Sequence, residues 1–104
     1  MICVTENELN VIVDIIKKYI PNCEVRAFGS RYKGNPKIYS DLDLAIVGKE
    51  RLGIALLGKV KEAFQESDLN FRVDVLDWSA ISEEFKKIIE QSYEVVYPNS
   101  NLPL

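Results

Sequence analysis

Residues 28–48 read FGSRYKGNPKIYSDLDLAIVG, and two aspartates, Asp41 and Asp43, stand one residue apart at the mouth of the apolar run that closes the stretch. The run has the period of a strand, because alternate side chains leave opposite faces of an extended backbone. Leu42, Leu44 and Ile46 then share one face, and Asp41, Asp43 and Ala45 share the other. The apolar face is the one that meets helices, and the aspartate face does not. Residues 71–78, FRVDVLDW, repeat the arrangement with Phe71, Val73 and Val75 on one side and Arg72, Asp74 and Leu76 on the other. If this strand lies beside the first with both apolar faces on the helices, Asp74 emerges on the side of Asp41 and Asp43. Three carboxylates then converge on one cleft.

Outward from these strands the segments alternate in type. Thr5 with Glu8 three positions on forms a capping box, and Leu9, Ile12, Val13, Ile16 and Tyr19 follow at helical spacing, which predicts a helix over 5–19 that closes before Pro21. Residues 23–29 alternate as a short strand, with Val25 and Ala27 opposite Glu24, Arg26 and Phe28. The segment 30–40, punctuated by Gly34 and Pro36, reads as a loop. Residues 53–67 carry Ile54, Leu56, Leu57, Val60, Ala63 and Phe64 at the spacing of a helix. Ser82 opens a last helix whose Glu83 and Glu84 suit the positive end of its dipole. A short strand over 94–97 precedes a frayed tail, 98–104, holding Pro98 and Pro103. The expected class is α+β: a short mixed β-sheet with helices packed mainly on one face, in a single domain over 1–104.

Bulk properties narrow the function classes. The chain has 104 residues, 47% hydrophobic and 28% charged, an ordinary globular balance. A net charge of −3 argues against a surface given over to nucleic acid, which needs clustered cations. No apolar stretch approaches the length of a membrane span, and no basic-then-apolar leader opens the chain, so a cytosolic, cytoplasmic protein is expected. Cys3 and Cys23 have neither a metal-ligand spacing nor a disulfide framework and read as free packing thiols. With no His in the chain, the usual general base of nucleophilic triads is missing. Catalysis must run on carboxylates, hydroxyls, cations or a bound metal.

The three acids suit the last of these. Like charges a few ångströms apart disfavour joint ionisation, and a hard divalent cation removes that cost; Mg²⁺ in particular is held by a few carboxylates together with substrate phosphates. Gly29 permits a tight turn after its strand, and Ser30 offers a hydroxyl and a backbone N–H to a phosphate. Arg31, Lys33 and Lys37 place three cations in the following loop. Polyphosphate would be neutralised from both sides.

Gly29-Ser30, the ten positions 31–40, Asp41-Leu42-Asp43, and Asp74 on the later strand resemble the signature of the minimal nucleotidyltransferases (MNT) of the DNA polymerase β-like nucleotidyltransferase superfamily. The resemblance spans residues 5–97, and no motif position departs from it. It implies the nucleotidyltransferase fold and a Mg-dependent transfer of a nucleoside monophosphate, AMP from ATP, onto a hydroxyl. It further implies that Asp41 and Asp43 hold two Mg²⁺ ions, that Asp74 joins them on the ion activating the nucleophile and takes the proton, and that Gly29, Ser30 and Arg31 hold the departing pyrophosphate. Relatives this short pair with a helical HEPN partner protein, which the small transferase, as antitoxin, modifies with AMP.

Taken singly, each motif has an ordinary structural use: Asp41 as a turn cap, Asp43 and Asp74 as solvent-facing strand residues, Gly29-Ser30 as a strand exit. The combination at this separation points to a site. Asp77 is expected on the helix-facing side or at the strand end, capping near Ser79. Tyr32 and Tyr39 flank the loop and suit either stacking on a base or half-burial. The alternative function is a catalytically silent nucleotide-binding module that neutralises a partner toxin by binding it.

Overall fold

The computed structural model describes residues 4–29 and 41–98. Their elements run α1 (Glu6–Tyr19), β1 (Glu24–Phe28), β2 (Leu42–Val47), α2 (Ile54–Gln65), β3 (Val73–Asp77), a 3-10 turn (Trp78–Ala80), α3 (Glu83–Glu90) and β4 (Glu94–Tyr97). The sheet has the order β3-β2-β1-β4. β1 pairs antiparallel with β2 and with β4, whereas β2 and β3 are parallel. The parallel pair needs a crossover, and α2 supplies it.

Local chemistry sets the element ends as the sequence indicates. The Thr5 hydroxyl accepts from the Glu8 N–H at 3.1 Å while the Glu8 carboxylate accepts from the Thr5 N–H at 2.8 Å, the reciprocal capping box. Ser82 accepts from the Phe85 N–H and opens α3, with Glu83 and Glu84 in its first turn. The strand expected over 71–78 is shorter at both ends. Its exit is set by Asp77, whose carboxylate accepts from the Ser79 N–H at 3.0 Å and turns the chain into the 3-10 turn.

The core lies between one face of the sheet and α1 and α2. Val25, Ala27, Leu42, Leu44 and Ile46 are fully buried there with Ile12, Ile16, Val60 and Phe64. Packing of this apolar stripe on the strands, rather than helix propensity, holds α1 and α2 in place.

The opposite face is partly covered, which simple alternation did not anticipate. The Phe85 ring of α3 meets Phe28 edge to face at 6.1 Å between centroids, and Ala45, on the aspartate face, is fully buried. Arg26, beside Ala45 in register, lies over the rings of Trp78 and Tyr93 at 4.9 and 4.7 Å and pairs with Glu24. The aspartate face is therefore closed beneath Arg26 and Ala45 and open where Asp43 and Asp74 stand. Among the described residues no helix is long and apolar enough to cross a membrane.

Candidate active site

β2 and β3 run parallel with Asp43 directly opposite Asp74, and Phe28 of β1 lies opposite Asp43 on the other side. Residues in register share a face, so the two carboxylates stand together on the central strand and its neighbour. Asp41 lies one residue before β2 and is half-buried. Burial, then the charges of Asp74 and of Asp41, push the Asp43 carboxyl above its ordinary range. Of the three acids expected on one face, the register sets Asp43 and Asp74 opposite each other, and the charge of Asp41 acts on Asp43. Arg72 sits two residues before Asp74 and pairs with it at 3.3 Å; that partner was readable from their shared strand face but was not drawn from the sequence. With its guanidinium 77% exposed, this pair is worth little on its own.

Gly29 follows β1 with φ of +84°, a conformation that L side chains rarely adopt, and a Cβ there would collide with the Asp43 carboxylate. The strand exit is therefore fitted against the acid. Ser30, Arg31, Lys33, Lys37, Tyr32 and Tyr39 lie outside the described residues, as do Cys3 and the tail from 99.

A groove of about 900 Å³ opens beside the acids. Asp43, Asp74 and Phe28 line one end, Phe85 stands over it, and it continues round β3 to Lys61 and Phe64 of α2. The two phenylalanines were missed as site residues, since nothing in the spacing of Phe28 and Phe85 ties one to the other before α3 folds across the sheet.

The donor set at the acids consists of hard carboxylate oxygens under mutual repulsion, which matches Mg²⁺ better than any soft metal. Among the described residues no three His, Cys, Asp or Glu side chains are already drawn into a metal-holding cluster. The match therefore rests on the shared face of Asp43 and Asp74, the charge of Asp41 and the oxygen chemistry.

Asp77, the other acid of β3, belongs to the scaffold. Its side chain points to the helix side, is 7% exposed, and accepts from Ser79 N–H and Oγ–H and from Leu52 N–H. Burial is the largest influence and favours the neutral form, but these donors and the Arg51 charge outweigh it, so its carboxyl titrates below the ordinary carboxylate range. A lowered acid stabilises the fold above its unfolded pKa and loses that contribution as pH falls through the folded value. Asp77→Ala should therefore cost about 2–3 kcal/mol at neutral pH, with the deficit shrinking below about pH 4, as urea unfolding at several pH values would record. Cys23 is a free thiol pushed up first by burial and then by the Asp77 charge, and so has little thiolate character.

The parallel β2–β3 pair with opposed acids, entered from a glycine turn, is the core of a nucleotidyltransferase. The pattern of the polymerase beta nucleotidyltransferase family matches residues 10–102, and the chain belongs to that family. Within it the chain is 47% identical over 93 residues, 89% of its length, to the probable protein adenylyltransferase MntA of Haemophilus influenzae, of which the match covers 82%. The fold is also similar to that in a crystal structure of a toxin-antitoxin with AMP-PNP, with a TM-score of 0.75 and 20% identity over 88% of this chain and 74% of that one. The tri-AMPylated Shewanella oneidensis HEPN toxin in complex with MNT antitoxin gives a TM-score of 0.69 at 20% identity, covering 90% of this chain and 72% of the other.

Proposed function

We propose that this nucleotidyltransferase moves AMP from ATP onto a hydroxyl of a partner protein in the cytoplasm, and that it is the antitoxin of a HEPN/MNT pair. The observation that carries the reading is the register pairing of Asp43 with Asp74, with the charge of Asp41 close enough to raise Asp43 further. The 47% identity to a protein named as an adenylyltransferase supports the choice of AMP and of a protein acceptor. The similar complexes, a toxin-antitoxin with AMP-PNP and a tri-AMPylated HEPN toxin with its MNT antitoxin, support the kind of partner.

In this reading the acceptor oxygen forms a bond to the α-phosphorus, the bond from that phosphorus to the bridging oxygen breaks, and pyrophosphate leaves. Asp74 receives the hydroxyl proton. Asp41, Asp43 and Asp74 would hold Mg²⁺, which when bound neutralises charge on the attacking and leaving oxygens of such an in-line displacement. Gly29 brings its backbone close to the phosphates, and Ser30 and Arg31 are assigned to the pyrophosphate. The closed region under Arg26 and Ala45 keeps the acids at the edge of a low-dielectric wall, where their charge acts over a short distance with less screening.

The test is incubation of the purified chain with Mg²⁺, α-labelled ATP and the HEPN-type protein that co-purifies with it. Label should pass to the partner. Neutralisation of the partner with no label transferred would instead favour a silent binding module. A second expectation concerns the pocket itself. Saturating Mg²⁺ and ATP should raise the melting temperature by about 5–10 °C, since a ligand held only by the folded state stabilises it by mass action; a scan without any shift at millimolar nucleotide would remove the pocket from both readings.

A further inference from the structure

We infer that the acceptor enters as an extended polypeptide segment that adds to the free edge of β3 and presents its hydroxyl opposite Asp74; this rests on the transfer proposed above. β3 is the terminal strand of the sheet among the described residues. The Leu42 N–H donates to the Arg72 carbonyl at 2.9 Å, and Leu42 is in register with Val73. In a parallel ladder this fixes which groups are used: Arg72, Asp74 and Leu76 face β2, while the N–H and C=O of Val73 and Val75 point away from the sheet. Those outward groups lie along the groove that begins at the acids. An edge of this kind is a template for a further strand.

The slot has two unlike walls. On the helix side Lys61 and Phe64 of α2 line it, and on the carboxylate side Phe85 of α3 does. A strand added there would lie at the sheet's own level, beside the acids rather than above them.

Strand geometry then specifies the sequence such a segment carries. Side chains directly opposite across two strands share a face and stand about 5 Å apart at Cβ. A Ser, Thr or Tyr opposite Asp74 therefore projects onto the carboxylate face, within reach of the group assigned to take its proton. Its two neighbours point to the other face, where Phe64, Val73 and Val75 are, and are therefore apolar. The residue two positions away returns to the carboxylate face near the exposed Arg72, which suits an acid there. The occupant is an apolar-hydroxyl-apolar stretch with a carboxylate two residues from the hydroxyl. A compact small-molecule acceptor would use the acids but leave the edge amides untouched.

Amide hydrogen exchange on the chain with its HEPN-type partner, Mg²⁺ and a non-hydrolysable ATP analogue tests this, run beside the label-transfer assay on the same preparation. The Val73 and Val75 amides should exchange at least about tenfold more slowly in the complex than in the free chain, whereas Asp74 and Leu76, already bonded to β2, should change little. Transfer of label with unchanged exchange at Val73 and Val75 would overturn the edge docking and leave the transferase reading standing. Protection at both amides without transfer would support the docking and count against the transfer. Unchanged exchange without transfer would overturn both.

Discussion

The double substitution Asp41→Asn and Asp43→Asn should yield a chain that folds at least as well as the native one at neutral pH yet transfers AMP at least about 10³-fold more slowly, a loss of some 4 kcal/mol of transition-state stabilisation. Both halves come from one feature. Burial and the charges of Asp74 and Asp41 raise the Asp43 carboxyl, so ionising it costs the free fold something. The sign follows from linkage: the cost is absent below the ordinary carboxylate pKa and appears as pH rises through the raised folded value. Asn, neutral throughout, escapes it. The melting temperature of the variant should therefore exceed the native at pH 7, and the gap should close as the solution is acidified. With saturating Mg²⁺ and ATP the order should invert, because only the native chain gains binding energy from the pair. Calorimetry with and without nucleotide, alongside the label assay, reads both halves. A variant that loses transfer but is also less stable than native across the whole pH range would mean that the acids serve the fold rather than the site.

How far the sequence could be read depends on where its information is local. Alternation assigns faces within a strand, so Leu42, Leu44 and Ile46 against Asp43, and Val73 and Val75 against Asp74, needed only the backbone period. The capping box at Thr5 and the cap at Asp77 were legible for the same reason, since each is a hydrogen bond spanning two or three residues. That Asp74 shares a side with Asp43 followed if the two strands were neighbours with both apolar faces on the helices; their parallel direction and the register that sets Asp43 opposite Asp74 did not follow from that condition. What alternation cannot report is the far side of the sheet. The rings of Phe28 and Phe85 meet although 57 positions of chain separate them, and Arg26 reaches Trp78 and Tyr93 in the same way. Ala45 illustrates the consequence. Its small side chain sits on the aspartate face, where the period alone suggests exposure, yet it is fully buried. The half-open character of that face, closed at one end and grooved at the other, is a property of tertiary packing and enters no local pattern.

Gly29→Ala should reduce transfer by about 10²-fold, and a second glycine in the same chain allows the reason to be isolated. Gly29 and Gly53 have nearly the same positive φ, +84° and +81°. Adding a methyl group at either forces an L residue into a conformation that costs about 1–3 kcal/mol, so both variants should be destabilised in urea. Their surroundings differ. At Gly53 the new Cβ meets nothing within 4 Å, whereas at Gly29 it runs into the Asp43 carboxylate. That carboxylate is the end of a side chain, so it can swing aside at modest cost to the fold. It cannot do so and keep its place beside Asp74. A displacement of about 1 Å at a reacting centre is enough to cost two orders of magnitude in rate, and Gly53→Ala, strained at positive φ but without a collision, should transfer AMP at close to the native rate. Equal losses of transfer in the two variants would trace the defect to backbone strain alone and dissociate Gly29 from the acids. A loss confined to Gly29→Ala would tie the turn after β1 to the position of a single carboxylate on β2.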